Sequence, residues 1–340
     1  MRRLFQTGDP SAQPFVVSGS GTLGWDITAS NLVERGENAL VVNTGYFGDS
    51  FAACLQTYGA EVTQVKAAAV GERPTLEEIE KALKAKANYR VITITHVDTS
   101  TGVINDVKSI AALVRRVSPQ TLIVVDGVCS VGCEDIQFDA WDLDLVLTAS
   151  QKAIGCPPGL SIVVVSGRAL DVVKNRKTPP SSFYASIANW LPIMQSYESR
   201  QPAYFATPPT QLVHALHTTL SKIIAVPLSR RFAQHVQTSD RVKKAVADLG
   251  LSQLASKPEC QAHGMTAIYL PNGIAPPDVL PALAERNVIF AGGLIKDIAS
   301  PYIRFGHMGI SVTDPTRKDI DHALVALKEV VAEAKKAKGL

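Results

Sequence analysis

Short, largely apolar segments recur through the first 165 residues of the chain and alternate with amphipathic stretches. Seven of these segments have the length of β-strands and lie at 15–17, 39–42, 62–65, 90–95, 121–125, 143–147 and 160–165. Apolar runs of this kind are typical of parallel strands buried on both faces, and the helical patterns between them supply the crossover connections. The alternation therefore predicts an α/β fold with a mostly parallel, doubly wound sheet.

The pattern changes after Pro227. A basic helix is predicted at 229–249, and it is followed by predicted strands at 265–270, 288–290 and 302–305 and predicted helices at 277–286 and 315–336. A chain of 340 residues is long for one hydrophobic core. We therefore expect two domains, a large one over residues 1–227 and a smaller α+β domain over residues 228–340.

The composition is that of a globular enzyme, with 46% hydrophobic residues, 19% charged residues and a net charge of +3. So small a charge gives no indication of nucleic-acid binding, and no apolar run is long enough to cross a bilayer. Cys129 and Cys133 have no companion Cys/His pair, so we expect no metal site.

Each chain end resembles a targeting signal only weakly. Met1–Phe5 is basic, but Gly8-Asp9-Pro10 follows too soon for a secretory leader and fits a transit peptide poorly. The tripeptide Lys338-Gly339-Leu340 ends like a peroxisomal signal, but a glycine stands where a basic residue is needed. We expect a cytoplasmic protein, with peroxisomal and mitochondrial locations as the alternatives.

A Gly/Ser-rich turn at 18–26 leads from the first strand into a helix predicted at 27–32. Free N–H groups at the start of a helix form a site for anions. The turn also matches the dinucleotide pattern G-x-G-x-x-G, through Gly19, Gly21 and Gly24. That fold needs an acid at the end of the next strand, where Asn43 stands instead, so the sequence favours a single phosphate over a dinucleotide.

Chemically distinctive residues follow successive predicted strands. They are two aromatic residues, a hydroxyl-rich loop, a carboxylate and a lysine, namely Tyr46 and Phe47, 96–102, Asp126 and Lys152. For the two aromatic residues the alternative is core packing, and for the hydroxyl-rich loop it is an ordinary capping turn. The buried carboxylate of Asp126 must meet a cation, an N–H donor or solvent. Strand ends of a doubly wound sheet converge on one crevice, so these groups can meet there.

Lys152 lies between two apolar strands and precedes a segment rich in Gly and Pro, which favours a fixed turn. An apolar setting reduces the hydration of a lysine, favours the neutral amine and makes a Schiff-base role plausible. The alternative is a solvated surface charge, which is the commoner fate of lysine.

Taken together, these motifs resemble those of the class V aminotransferases, which are pyridoxal-phosphate (PLP) enzymes of fold type I. The resemblance is carried by the motifs at 18–21, 95–102, 125–128, 150–152 with 157–159, and 304–309. The 26-residue separation between Asp126 and Lys152 also fits the family pattern. Within the class, the chain is most similar to the alanine–glyoxylate and serine–pyruvate aminotransferases.

The resemblance implies a role for each cofactor-binding residue. Lys152 would form the Schiff base with PLP and carry the proton, and Asp126 would face the pyridine nitrogen. Phe47 would stack on the ring, at a position where tryptophan is usual, and Thr99 would lie near the phenolic oxygen. The phosphate would be held by Ser20, Gly21, Thr22 and Gln151.

The resemblance also implies how the substrate and a second subunit are engaged. Arg304 would bind the substrate α-carboxylate with its two-pronged guanidinium. Tyr204 and Thr207 would reach the phosphate of a neighbouring subunit, so that the enzyme is a homodimer with shared active sites. We expect the cleft between the two domains to close on substrate.

The function implied is transfer of an amino group from alanine, or serine, to glyoxylate, with an amino acid and a 2-oxo acid as substrates. One alternative is another class V activity, a desulfurase or a lyase, for which Cys260 is a loose candidate nucleophile. The other is a truncated, inactive subunit that binds full-length partners. Family members carry a further N-terminal segment, and Met1–Gln13 begins roughly where the first large-domain helix would already be under way.

Overall fold

A seven-stranded sheet occupies the first half of the chain in the computed structural model, which describes residues 1–86, 88–296, 298 and 301–340. Its strands are β1 (Gln13–Ser18), β2 (Asn38–Asn43), β3 (Glu61–Lys66), β4 (Tyr89–Thr95), β7 (Leu122–Asp126), β8 (Leu145–Ala149) and β9 (Leu160–Val165), and a small hairpin after β4 adds β5 (Val97–Asp98) and β6 (Val103–Ile104). The order is β1-β9-β8-β7-β4-β2-β3, and β9 runs antiparallel to both of its neighbours. The predicted mostly parallel sheet is confirmed.

Helices cover both faces of this sheet. Those of the first 227 residues are α1 (Arg2–Phe5), α2 (Gly21–Leu32), α3 (Tyr46–Thr57), α4 (Leu76–Ala85), α5 (Val107–Val117), α6 (Gly167–Lys174), α7 (Ile187–Glu198) and α8 (Thr210–Ile224). Leu40 and Val42 pack in one apolar core with residues of α4 and α5, whereas Val41 packs in another with residues of α2 and α3. Successive side chains of a strand point to opposite faces, so the continuous apolar runs produce a doubly wound fold.

Local sequence signals set several helix starts. The predicted capping box before α4 is present, since the Thr75 hydroxyl accepts from the Glu78 N–H and the Glu78 carboxylate accepts from the Thr75 N–H. In contrast, α2 begins six residues before the predicted start. A β-carbon on Gly24 would lie 2.9 Å from a side-chain carbon of Leu147. Glycine therefore lets the helix lie close against the sheet, and this packing outweighs its poor helix propensity.

A second, smaller sheet with its own core follows. Its strands β10 (Met265–Tyr269), β12 (Tyr302–Gly306) and β11 (Ala291–Gly292) are antiparallel in that order, and the accompanying helices are α9 (Leu228–Asp248), α10 (Pro276–Glu285), α11 (Ile310–Thr313) and α12 (Asp319–Lys338), with a 3-10 turn at Pro258–Cys260. None of the helices in the described ranges is both long enough and apolar enough to cross a membrane.

Two boundaries in this region differ from those predicted. The strand predicted at 288–290 is wrong, because the Val288 N–H bonds to the Leu283 carbonyl and closes the turn that ends α10. The strand comes afterwards, at β11. The last helix begins at Asp319 rather than Pro315, because the Asp314 carboxylate accepts from Thr316 and forms a turn there.

Candidate active site

A cavity of about 180 Å³ lies at the carboxyl ends of the central strands. Eight of the eleven site residues predicted from the sequence line it: Ser20, Gly21, Thr22, Phe47, Thr99, Asp126, Gln151 and Lys152. The remaining walls are formed by Trp25, Thr95, Val97, Val128 and Cys129. Residues separated by more than 130 positions are thus brought together by strand ends that share one edge of the sheet.

Asp126 is the buried carboxylate of this cavity and ends β7. It accepts the indole N–H of Trp25 at 2.7 Å and the main-chain N–H of Val128 at 3.0 Å. Burial raises its pKa to about 6, although both donors act in the opposite direction. Two N–H donors therefore satisfy this buried carboxylate, as expected from the sequence.

Trp25 was not singled out from the sequence. It lies in the first turns of α2, 101 residues from Asp126, and its ring stacks on Phe51 with 5.4 Å between centroids. One signal was available, because Trp25 lies four residues after Gly21 and so shares its face of the helix. The relation was missed because the helix was predicted to begin only at residue 27, whereas α2 begins at Gly21.

The start of α2 forms one end of the cavity. Ser20 is the N-cap residue, and its side chain makes no capping bond. The first main-chain N–H groups of the helix are free of intrahelical partners and favour an anion. A β-carbon on Gly21 would come within 2.7 Å of Val128, so only glycine allows this approach. The arrangement is suited to a phosphate group.

Lys152 lies in the turn between β8 and β9 and is half-buried. The turn is closed by main-chain bonds from Gly155 N–H to the Lys152 carbonyl and from Cys156 N–H to the Ser150 carbonyl, both 2.9 Å. The Ser150 hydroxyl also donates to the Pro157 carbonyl at 2.7 Å. The predicted fixed turn is confirmed, and it presents Lys152 to the same cavity as Asp126.

Phe47 is held at the cavity through Asp98, a second buried acid. The Asp98 carboxylate accepts the N–H groups of Phe47 and Gly48, at 3.2 and 3.3 Å, and both the N–H and the hydroxyl of Ser100. Burial raises the pKa of Asp98. The sequence placed Asp98 in a hydroxyl-rich loop but gave no sign that it fixes the start of α3.

Arg304 approaches from the small sheet. It lies on β12, where its Nε donates to the Gly292 carbonyl at 2.8 Å and its Nη1 to the Thr99 carbonyl at 3.4 Å. Burial lowers the pKa of the guanidinium. Arg304 is not one of the lining residues, but it contacts Thr99, which is one of them. The structure thus places it beside the cavity.

Tyr204 and Thr207 lie outside this cavity. Tyr204 is 73% exposed, and its hydroxyl is 3.3 Å from that of Thr207. Their predicted role concerns a neighbouring subunit, and it stays a prediction.

Most of the chain matches a known protein family. Residues 7–308 match the profile of the family described as aminotransferase class-V. The chain belongs to the class-V aminotransferase family. It is therefore an aminotransferase of fold type I, and its cofactor is PLP.

Three relatives illustrate the similarity of this aminotransferase to known proteins. Alanine–glyoxylate aminotransferase 1 of Saccharomyces cerevisiae is 45% identical over 318 residues, which cover 91% of this chain and 82% of the yeast protein. L-aspartate–glyoxylate aminotransferase of Paracoccus denitrificans is 32% identical, with coverage of 89% and 75%. A crystal structure of alanine–glyoxylate aminotransferase from Nostoc sp. gives a TM-score of 0.87 at 30% identity and covers 97% of this chain and 84% of that one.

The structure gives no support to the desulfurase alternative. It would need a mobile, nucleophilic cysteine, and Cys260 is only 3% exposed, packed against Val103 and Ala255.

Proposed function

We propose that this aminotransferase transfers the amino group of alanine, or of serine, to glyoxylate. The observation that carries the reaction is the placement of an amine, Lys152, and a buried carboxylate, Asp126, on one cavity beside a helix N-terminus. The choice of substrates is supported by the names of two relatives. The yeast and Paracoccus proteins differ in donor, alanine or L-aspartate, but both names contain glyoxylate.

The cavity fits PLP, because each part of the cofactor meets a complementary group. The α2 N-terminus with Ser20, Gly21, Thr22 and Gln151 would hold the phosphate, Phe47 would stack on the ring and Thr99 would lie near the phenolic oxygen. The Asp126 carboxylate would face the ring nitrogen and keep a proton there. When bound, PLP supplies an aldehyde that reacts with amines and a ring that accepts electrons.

Two residues would act on the substrate. The Lys152 amine would move a proton between the substrate Cα and the C4′ carbon of PLP. The Arg304 guanidinium would bind the α-carboxylate shared by amino acids and 2-oxo acids, and so orient the Cα toward Lys152. The half-buried position of Lys152 limits the water that competes for this proton.

We also propose that the domain boundary lies at 227/228. This boundary places Arg304 and Lys152 in different domains, so closure of the cleft on substrate would bring the carboxylate-binding and proton-transferring groups together. Support comes from the two separate sheets and from Pro227, which precedes the first turn of α9.

A homodimer with shared active sites is part of the proposal. An apolar groove of about 810 Å³, which includes Trp190, Met194 and Leu216, has Thr207 in its wall. An apolar groove of this size favours coverage by another protein surface. In a dimer built on it, Tyr204 and Thr207 would be carried to the other subunit's phosphate.

Subunit mixing tests the dimer. Lys152→Ala and Thr207→Ala/Tyr204→Ala proteins are each expected to be nearly inactive. When they are unfolded and refolded together, one site of each mixed dimer regains all its residues, so about a quarter of wild-type activity should return. Sedimentation should show the mass of two chains. A monomer, or a mixture without recovered activity, contradicts the shared site.

A half-reaction titration tests the substrates. Purified protein loaded with PLP should lose its visible absorbance when alanine or serine is added, and glyoxylate should restore it. L-aspartate serves as the comparison, because the Paracoccus relative is named for it. Stronger conversion by aspartate than by alanine or serine would show that the proposed donor is wrong. No response to glyoxylate would show that the acceptor is wrong.

We propose a cytoplasmic location and keep the peroxisome and the mitochondrion as alternatives. Fluorescent fusions placed at either end of the chain distinguish the three, since each fusion leaves the opposite end free. Punctate fluorescence that overlaps a peroxisomal or mitochondrial marker would replace the cytoplasmic assignment.

A further inference from the structure

Tyr302 is a buried residue at the contact between the two sheets, and its hydroxyl is fully hydrogen-bonded. It is 1% exposed and lies on β12, two positions before Arg304 and on the same face of the strand. The hydroxyl donates to the Ser100 carbonyl at 2.7 Å and accepts the N–H groups of Leu294 and Ile295 at 2.9 and 3.0 Å. One oxygen atom therefore joins three main-chain groups of two different segments.

Arg304 contacts the same two segments. Its Nη1 donates to the Thr99 carbonyl, next to the carbonyl that Tyr302 binds, and its Nε donates to the Gly292 carbonyl. The two side chains therefore form parallel links from β12 to consecutive peptide groups of the loop after β5. They also contact the segment 292–295 at both of its ends.

Both anchoring points make further contacts. Ser100 is fixed by two hydrogen bonds to Asp98, from its N–H at 2.9 Å and its hydroxyl at 2.6 Å. On the other side, a β-carbon on Gly293 would come within 2.4 Å of the Tyr302 ring, so this segment lies directly against the ring. The Tyr302 phenol therefore links the turn at Asp98 to β12 through hydrogen bonds.

We propose that Tyr302 is a positioning residue that holds Arg304 beside the cavity before a carboxylate substrate binds. The inference rests on the proposed function, because it takes Arg304 as the group that binds the substrate carboxylate. Loss of the hydroxyl leaves the buried Ser100 carbonyl and the half-buried N–H groups of Leu294 and Ile295 without this partner, so we expect the segment 292–295 to shift and Arg304 to lose its support. Lys152 and Asp126 do not depend on these bonds.

The test removes that single oxygen atom with Tyr302→Phe and uses three ligands. Alanine carries both reacting groups, propionate carries only the carboxylate and ethylamine only the amine. In the PLP-loaded variant, the KM for alanine and the inhibition constant of propionate should rise roughly tenfold, the scale of one lost buried hydrogen-bond set. The reaction with ethylamine and the visible spectrum should stay unchanged.

Tyr269→Phe is the matched control. Tyr269 lies on the neighbouring strand β10 with its ring 6.5 Å from that of Tyr302, and its hydroxyl makes no hydrogen bond to the part of the chain that the structure describes. It should leave all three ligands unaffected. In an Arg304→Lys background, Tyr302→Phe should add less than a further twofold, because the residue that it positions is already changed.

Two results would overturn the proposal. Equal weakening of ethylamine and propionate would mean that the hydroxyl supports the fold in general. Unchanged alanine and propionate values would mean that Arg304 does not need it. If alanine is not a donor at all, the proposed substrate is wrong, but the propionate and double-variant measurements still decide the role of Tyr302.

Discussion

The cavity and the strand beside it are built in different ways. The cavity is lined by turns at strand ends of the large sheet, and main-chain hydrogen bonds around Asp126 and Lys152 fix these turns. Strand β12 of the small sheet lies beside the cavity and is tied to the loop after β5 by the side chains of Tyr302 and Arg304, which bind its carbonyl groups. The proposed reacting groups therefore stand on a main-chain framework, whereas the proposed substrate-binding group depends on side-chain contacts.

The most severe change to the cavity is Lys152→Ala. We expect turnover below roughly one-thousandth of wild type and no visible absorbance that borohydride removes, because the amine proposed to bind the aldehyde is gone. Lys174→Ala, which removes an exposed lysine of α6, is the control and should keep both properties. A Lys152→Ala protein that stays coloured and active would show that another amine does this work.

Asp126→Asn should have the next largest effect. The cofactor should remain bound, while transamination falls by roughly 10²–10⁴-fold, because an amide cannot hold a proton at the ring nitrogen. Trp25→Phe sharpens this test, since it removes one hydrogen bond to Asp126 and leaves the charge. Transamination activity of Trp25→Phe should fall about tenfold. Near-wild-type activity of Asp126→Asn would refute the pyridinium role.

Arg304→Lys tests the side-chain contacts of β12. We expect binding of amino acids to weaken by about 1–3 kcal/mol, which raises their KM values roughly 5–150-fold, with kcat much less affected, because an ammonium cannot bind both carboxylate oxygens. Steady-state kinetics with alanine and glyoxylate measure this split. Unchanged KM with a lower kcat would move Arg304 from recognition into the chemistry.

The smallest effect expected is a pH dependence of stability without cofactor. Burial raises the pKa of Asp126 from 3.8 in the unfolded chain to about 6, so the folded state binds this proton more tightly. Its contribution to stability is therefore present below pH 4 and is lost as the pH rises to about 6. Relative to wild type, the melting temperature of Asp126→Asn should rise by a few degrees between pH 4 and pH 7. A difference that does not change with pH would mean that Asp126 is solvated in the apoprotein.

The cavity could be largely predicted from sequence, and the side-chain contacts of β12 could not. Lys152 and Asp126 follow apolar strands, and the rule that strand ends share an edge brings them together without knowledge of any side-chain contact. Their partners were missed because those contacts are tertiary. Trp25 reaches Asp126 from a helix whose start was placed too late, owing to glycines that were read as a turn.

The small sheet shows the same limit. The strand at 302–305 was predicted well because three of its four residues are β-branched or aromatic, whereas 288–290 consists entirely of such residues and forms no strand. Hydrogen bonds at the end of α10 decide that case, and no periodicity reveals them. The link from Tyr302 to Ser100 spans 202 residues and follows from how the two sheets pack.

The reversed direction of β9 has a consequence for the lysine. Because β9 pairs with β8 through five residue pairs in a hairpin-like return, the intervening loop is tethered at both ends, where a crossover helix would have tethered it at one. The main chain at Lys152 has therefore already lost conformational entropy when the protein folds. If Lys152 is the proposed Schiff-base amine, its reaction with the coenzyme requires less further ordering of the loop, which raises the effective molarity of the amine.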